Sequence, residues 1–98
     1  MNRNNESDIA SDGHLDQNAP NPFSVSTIIG YELPKGTQKA AIGIYDMNGK
    51  EVKLVQLSSD KKGSISIQGG DLLSGMYIYT LIVDGKYFDS KKMILTSQ

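Results

Sequence analysis

The chain contains no cysteine and no tryptophan, one histidine, three prolines and two phenylalanines. Without thiols there is no disulfide staple, no thiolate nucleophile and no soft metal ligand. The lack of cysteine is compatible with either a reducing or an oxidising compartment. One histidine, His14, leaves no transition-metal constellation, and any Ser-His-Asp arrangement would have to use it. His14 ends a polar run in which nothing fixes an imidazole, so a solvated side chain is expected. Long apolar runs are missing as well. No segment approaches the ~20 apolar residues of a membrane helix. Met1 to Asp8 is polar, unlike a secretory signal, so a signal for export would lie on sequence outside this chain.

A strong charge of either sign is also lacking, the net being −1. Residues 1–14 carry Arg3 against Glu6, Asp8 and Asp12, a net of −2, and residues 15–98 carry a net of +1. Neither part steers a polyanion, which argues against a nucleic-acid binder. At 98 residues the chain forms one domain with a single core, burying roughly 60–65% of its unfolded surface.

What the sequence does have is short β patterns punctuated by turns. Residues 1–14 are Asn/Ser/Asp-rich and cannot offset the entropy of ordering, so they read as a flexible polar linker, with the folded domain spanning 15–98. Leu15–Asn18 reads as a short edge strand before the rigid Pro20-Asn21-Pro22 crossing, with Leu15 and Phe23 plugging the core. In Ser24–Leu33 the residues Val25, Thr27, Ile29, Tyr31 and Leu33 alternate onto one face. Ala40–Asp46 follows, with Ala40, Ile42 and Ile44 inward, and Asn48-Gly49 supplying the left-handed positions of a hairpin loop. The returning strand sets Val52, Leu54 and Gln56 against Lys53, Val55 and Leu57, and its facing is ambiguous. Ile65 and Ile67 point inward from Ser64–Gln68, and Leu72-Leu73-Ser74 forms one helical turn. Gly75–Val83 is the most apolar stretch, read as covered on both faces, and Asp84-Gly85 folds it back onto Lys86–Thr96. About seven short strands with no convincing helix predict an all-β, immunoglobulin-like Greek-key sandwich.

Chemistry is sparse in this pattern. Asp46–Glu51 lacks the ligand spacing of a calcium loop, because Lys50 stands at the fifth position and the glycine comes at the fourth. Of Asp71, Asp84 and Asp89, two belong to turn motifs, and no apolar pocket is apparent that would set one apart as an acid. Gly69-Gly70 precedes no long helix that could cradle a phosphate. Of the five tyrosines, Tyr45 and Tyr87 are the two to expect at a surface. No cofactor and no metal is implied, and an enzyme is not expected.

A run of motifs nevertheless carries a specific resemblance. Leu15-x-Gln17-Asn18-x-Pro20-Asn21-Pro22-Phe23 leads to Thr27-x-Ile29-x-Tyr31-x-Leu33-Pro34. Ile42-x-Ile44-Tyr45-Asp46-Met47-Asn48-Gly49-Lys50-Glu51-Val52 follows, then Leu72-x-Ser74-Gly75-Met76-Tyr77-x-Tyr79 and Lys92-Met93-Ile94-Leu95. In that order they resemble the type A C-terminal sorting domain of the type IX (Por) secretion system, from Leu15 to about Thr96. The resemblance implies a non-catalytic signal at the end of a cargo protein. The cargo transits the periplasm and is read by the outer-membrane secretion apparatus. A sortase-like peptidase then trims it, leaving it at the cell surface or secreted. The resemblance further implies a recognition surface made of Asn48, Gly49, Lys50, Glu51 and Val52 with Lys91, Lys92, Met93, Ile94 and Leu95. No nucleic acid and no membrane insertion is implied. The alternative reading is a structural or adhesive immunoglobulin-like module of a larger surface protein, glycan binding included, which aromatics at Tyr45 or Tyr87 beside a groove would favour.

Overall fold

The computed structural model describes residues 12–58 and 61–97. Residues 1–11 of the expected polar linker therefore lie outside the described part. Seven strands and one short helical turn follow in order: β1 (His14–Leu15), β2 (Ser26–Glu32), β3 (Ala40–Tyr45), β4 (Glu51–Gln56), β5 (Lys62–Gln68), a 3₁₀ turn (Gly69–Asp71), β6 (Gly75–Val83) and β7 (Lys86–Leu95). They form two antiparallel sheets, β1-β2-β5 and β4-β3-β6-β7. The chain crosses between sheets after β2, β4 and β5 and makes hairpins at β3-β4 and β6-β7. The expected immunoglobulin-like sandwich is what forms.

Period-two alternation places the core. Thr27, Ile29 and Tyr31 of β2 and Ile67 of β5 meet Ile42 and Ile44 of β3 and Tyr77, Tyr79 and Leu81 of β6, all buried, with Met93 and Leu95 of β7 closing one side. β4 resolves its ambiguous pattern by turning Val55 inward, with Leu57 just past its end also against the core; Leu54 is exposed on the outer face. β3 is the central strand, held by β4 on one side and β6 on the other.

Local chemistry departs from the sequence reading at several points. Val25 is 70% exposed rather than inward, because β2 begins one residue later and the Val25 carbonyl accepts the Gly69 N–H at 2.8 Å. The helical turn is Gly69–Asp71, not Leu72–Ser74, since Leu72 is already extended (φ −134°, ψ 152°). Only Gly49 (φ 84°) takes a left-handed conformation in the β3-β4 loop, so Asn48 is not needed for it. The β6-β7 turn does use two left-handed residues, Asp84 (φ 50°) and Gly85 (φ 82°), as Asp-Gly predicts. The Asp84 Oδ1 also accepts the N–H groups of Gln38 (3.0 Å) and Lys39 (2.8 Å), tying that turn to the β2-β3 connection. Finally, the outer face of β6 is partly covered, with Thr80 buried and Ile78 and Ile82 half-buried, and beside it Tyr45 folds across Gly43, so a Cβ at Gly43 would lie 2.5 Å from the Tyr45 hydroxyl.

Candidate recognition surface

The Gln17–Phe23 stretch knits the two sheets together through buried Asn18 and Phe23, while Gln17, Ala19, Pro20, Asn21 and Pro22 are exposed. The Tyr79 hydroxyl donates to the Asp16 carbonyl (2.6 Å) and accepts the Asn18 N–H (2.7 Å). The Asn18 side-chain amide donates to Thr27 Oγ1 (3.0 Å) and the Pro20 carbonyl (3.1 Å), and Thr27 Oγ1 donates to that same carbonyl (2.8 Å). Asn18, Thr27 and Tyr79 are all buried, so this is a satisfied interior network and not an open polar site. Burial foremost, with the Asp16 and Asp89 charges adding to it, pushes the Tyr79 phenol up to about 12 against the opposing Asn18 N–H. Further along, Asn21 Oδ1 accepts the Ile94 N–H (2.9 Å) and Gln17 Nε2 donates to the Lys92 carbonyl (2.7 Å). Phe23 exchanges backbone bonds with Ile94 and Thr96 (2.9 and 2.8 Å). This segment thus covers the last residues of the β7 edge, which would otherwise expose unpaired backbone groups.

The β3-β4 loop has a different character. Asp46 Oδ1 accepts the N–H groups of Asn48 (2.9 Å) and Lys50 (3.0 Å), and its carbonyl accepts the Gly49 N–H (3.0 Å). The carboxylate therefore serves the turn, while Asn48, Gly49, Lys50 and Glu51 project into solvent. Val52 is the extra residue of a bulge, for Ile44 faces Lys53 while Tyr45 faces Glu51.

The ten expected surface residues fall into two groups. Asn48, Gly49, Lys50, Glu51, Val52, Lys92 and Ile94 are exposed and Lys91 is half-buried, whereas Met93 and Leu95 point into the core. The cause is strand alternation, which forces every second residue of Lys91–Leu95 inward. Glu51, Tyr45, Ile78 and Lys92 stand in one row across the four strands, so the fold brings both segments to the same end of the sheet. They occupy opposite edges, roughly 14 Å apart at three inter-strand steps. Between them lie residues that the sequence reading did not single out for a site: Met47 (56% exposed), Leu73 (85%) and Met76 (40%). With Asp46, Lys50 and Val52 they line a groove of about 470 Å³. One signal for it was legible: the strand pattern of Gly75–Val83 is two residues longer than that of Ala40–Asp46, and in the fold β6 overhangs β3 by three residues.

On the outer face, Tyr45, Tyr87, Ile78 and Thr80 line a second hollow of about 310 Å³. Desolvation first, then the neighbouring Tyr87 phenol and the Glu51 carboxylate, raise the Tyr45 pKa. His14, expected as a free side chain, lies on β1 with Nε2 3.2 Å from Asp16 and Nδ1 3.7 Å from Glu32.

Comparison with known proteins adds three findings. A family model described as "Secretion system C-terminal sorting domain" matches residues 19–96. No curated protein matches the chain. Among solved structures, the "Biofilm associated protein - BSP domain" superposes over 85% of this chain and 15% of that one, with a TM-score of 0.60 and 12% identity. At that identity the likeness is one of fold.

Proposed function

The chain belongs to the family of type IX secretion C-terminal sorting domains, and from that premise we propose how its sandwich does the sorting. Membership makes it a sorting signal that engages the secretion apparatus and directs export to the cell surface or secretion. The observation that carries this is the match over residues 19–96, which spans β2 to β7 and includes Thr27 and Tyr79 of the buried network as well as the exposed loop.

Within that role the domain is a substrate of the export machinery and not a catalyst. The chain has no cysteine, and its lone histidine lies beside two carboxylates, those of Asp16 and Glu32. Residues 1–14 serve as the linker to a preceding cargo, and 15–98 as the folded signal, which passes through the periplasm and meets a sortase-like peptidase. The recognition surface is the exposed part of the expected set: Asn48, Gly49, Lys50, Glu51, Val52, Lys92 and Ile94. Two features of the fold support that assignment. The linker joins at His14, paired with Glu32 at one end of β2, whereas the candidate surface lies at the end marked by Gly75 and Leu95. Ser26, at the other end of β2, pairs with Gln68 immediately before the turn that leads into β6. Cargo and reading surface are therefore at opposite poles, and a bulky cargo leaves the surface open.

The test is a fusion of a reporter carrying a Sec signal to the full chain, expressed in cells with a working type IX apparatus. Surface delivery of this fusion, and its loss on deleting residues 91–98, is the expected result. Retention of an intact, folded fusion in the periplasm would leave only the fold in common with the family and favour an adhesive module.

A further inference from the structure

The overhang of β6 leaves a hydrogen-bonding position without a partner. Ile94 turns its N–H to Asn21 Oδ1 and its carbonyl to the Phe23 N–H, both away from β6. Met76 is the ladder partner of Ile94. In an antiparallel pair of this kind both residues direct their backbone groups outward. The Met76 N–H and C=O therefore face the line of β3. That strand offers nothing there: its last rung with β6 is Tyr45–Ile78, and from Asp46 onward the chain folds into the hairpin, with the Asp46 N–H bonded to the Lys50 carbonyl at 2.9 Å. Among the described residues no hydrogen bond uses either Met76 group.

Three properties of the surrounding groove define what fits it. The donor and acceptor of Met76 are spaced to receive one residue of an extended chain. The side chains of Met47, Leu73 and Met76 give it adaptable apolar walls, the thioethers accommodating varied shapes. Three charged side chains line it: Asp46, whose carboxylate is held by the N–H groups of its own turn, Asp71, 3.9 Å from Lys53, and Lys50, which forms no salt bridge among the described residues and is the one cation facing the groove.

We propose that this groove receives an extended segment of the protein that reads the sorting domain, by strand addition in line with β3. The segment exchanges an N–H···O=C pair with Met76, seats an apolar side chain against Met47, Leu73 and Met76, and sets a carboxylate against Lys50. This rests on the sorting reading above and names the mode of recognition within it.

The reporter fusion to the full chain tests both in one series. Met76→Pro deletes the unpaired N–H, Met76→Leu retains it, Leu73→Asp spoils the apolar seat and Lys50→Glu reverses the rim charge. Surface delivery should fall about tenfold or more for Met76→Pro, Leu73→Asp and Lys50→Glu, and stay within about twofold for Met76→Leu. Urea midpoints of the purified full chains confirm folding. Should Met76→Pro not fold, Leu73→Asp and Lys50→Glu decide the matter, since both side chains are exposed. Delivery undiminished by Leu73→Asp and Lys50→Glu ends this inference and leaves the sorting role standing. Loss with Leu73→Asp but normal delivery of a folded Met76→Pro ends strand addition. A concentration-dependent dimer abolished by Leu73→Asp would make a second copy the occupant and overturn the proposal. Failure of the unaltered fusion to reach the surface removes the sorting reading and this inference together.

Discussion

Two stretches of this chain look equally distinctive as sequence and do opposite work. Gln17–Phe23 ties the sheets together through its bonds: Asn18 is buried, its amide is committed to Pro20 and Thr27, and Asn21 and Phe23 seal the edge of β7. Asp46–Val52 lies outside, with only the Asp46 side chain committed to the loop and the next six residues exposed. A motif can therefore be a signature because it builds the scaffold or because something reads it. Tracing the hydrogen bonds separates the two cases where residue identity does not.

The sharpest way to break that comparison is to cut on its buried side. Leu81, central in β6 and wholly buried, sets the scale: Leu81→Ala should lower stability in a urea titration by about 2–5 kcal/mol through lost transfer energy and the cavity left behind. Asn18→Ala comes next. It removes two donors and leaves Thr27 Oγ1 short of one, so about 2–3 kcal/mol should go, counting the lost bonds and the desolvated oxygen. A loss under about 0.5 kcal/mol, the size of an ordinary surface change, would mean that the Asn18 network does not hold the scaffold and would undo the distinction.

Much of this was legible beforehand. Alternation at Thr27, Ile29, Tyr31 and at Tyr77, Tyr79, Leu81 assigned the inner faces, and Asp84-Gly85 marked its turn, because period and turn chemistry are local properties. What eluded the sequence depends on the partner strand. Val52, Leu54 and Gln56 competed with Lys53, Val55 and Leu57 because an edge strand with one half-wet face carries apolar residues on both. The expectation that Met93 and Leu95 belong to a surface came from treating a motif as a unit, whereas the sheet divides it residue by residue. Nor does any local pattern announce the bare amide of Met76, which exists only because two strands of unequal length lie side by side.

A change of pH offers a finer probe of the buried side. The Tyr79 phenol is held up to about 12, against 10 for an ordinary tyrosine. Below pH 10 it is neutral whether the chain is folded or not, and its contribution to stability is complete. Between pH 10 and 12 the unfolded chain ionises while the fold still holds the proton, so stability falls as pH rises. The drop is about 1.4 kcal/mol per unit, or about 2–3 kcal/mol in all. Urea midpoints at pH 9 and pH 11 should therefore differ more for the unaltered chain than for Tyr79→Phe. The substituted protein starts lower, having lost the bonds to Asp16 and Asn18, but its decline is shallower. Equal declines would mean that the network tolerates the ionised phenol.

The smallest effects belong to the exposed loop, where the comparison can be drawn between neighbours. Asp46→Ala frees the N–H groups of Asn48 and Lys50, but both are exposed and water can replace the carboxylate, so about 1 kcal/mol should be lost. Lys50→Ala, a few residues away, touches nothing the fold depends on and should stay within about 0.5 kcal/mol. If the two cost the same in urea, Asp46 is no more structural than Lys50 and the line between scaffold and surface has been drawn one residue too early. If they separate as expected, and surface delivery of the fusion nevertheless falls for Lys50→Ala, then the loop carries a residue that the export machinery needs and folding does not.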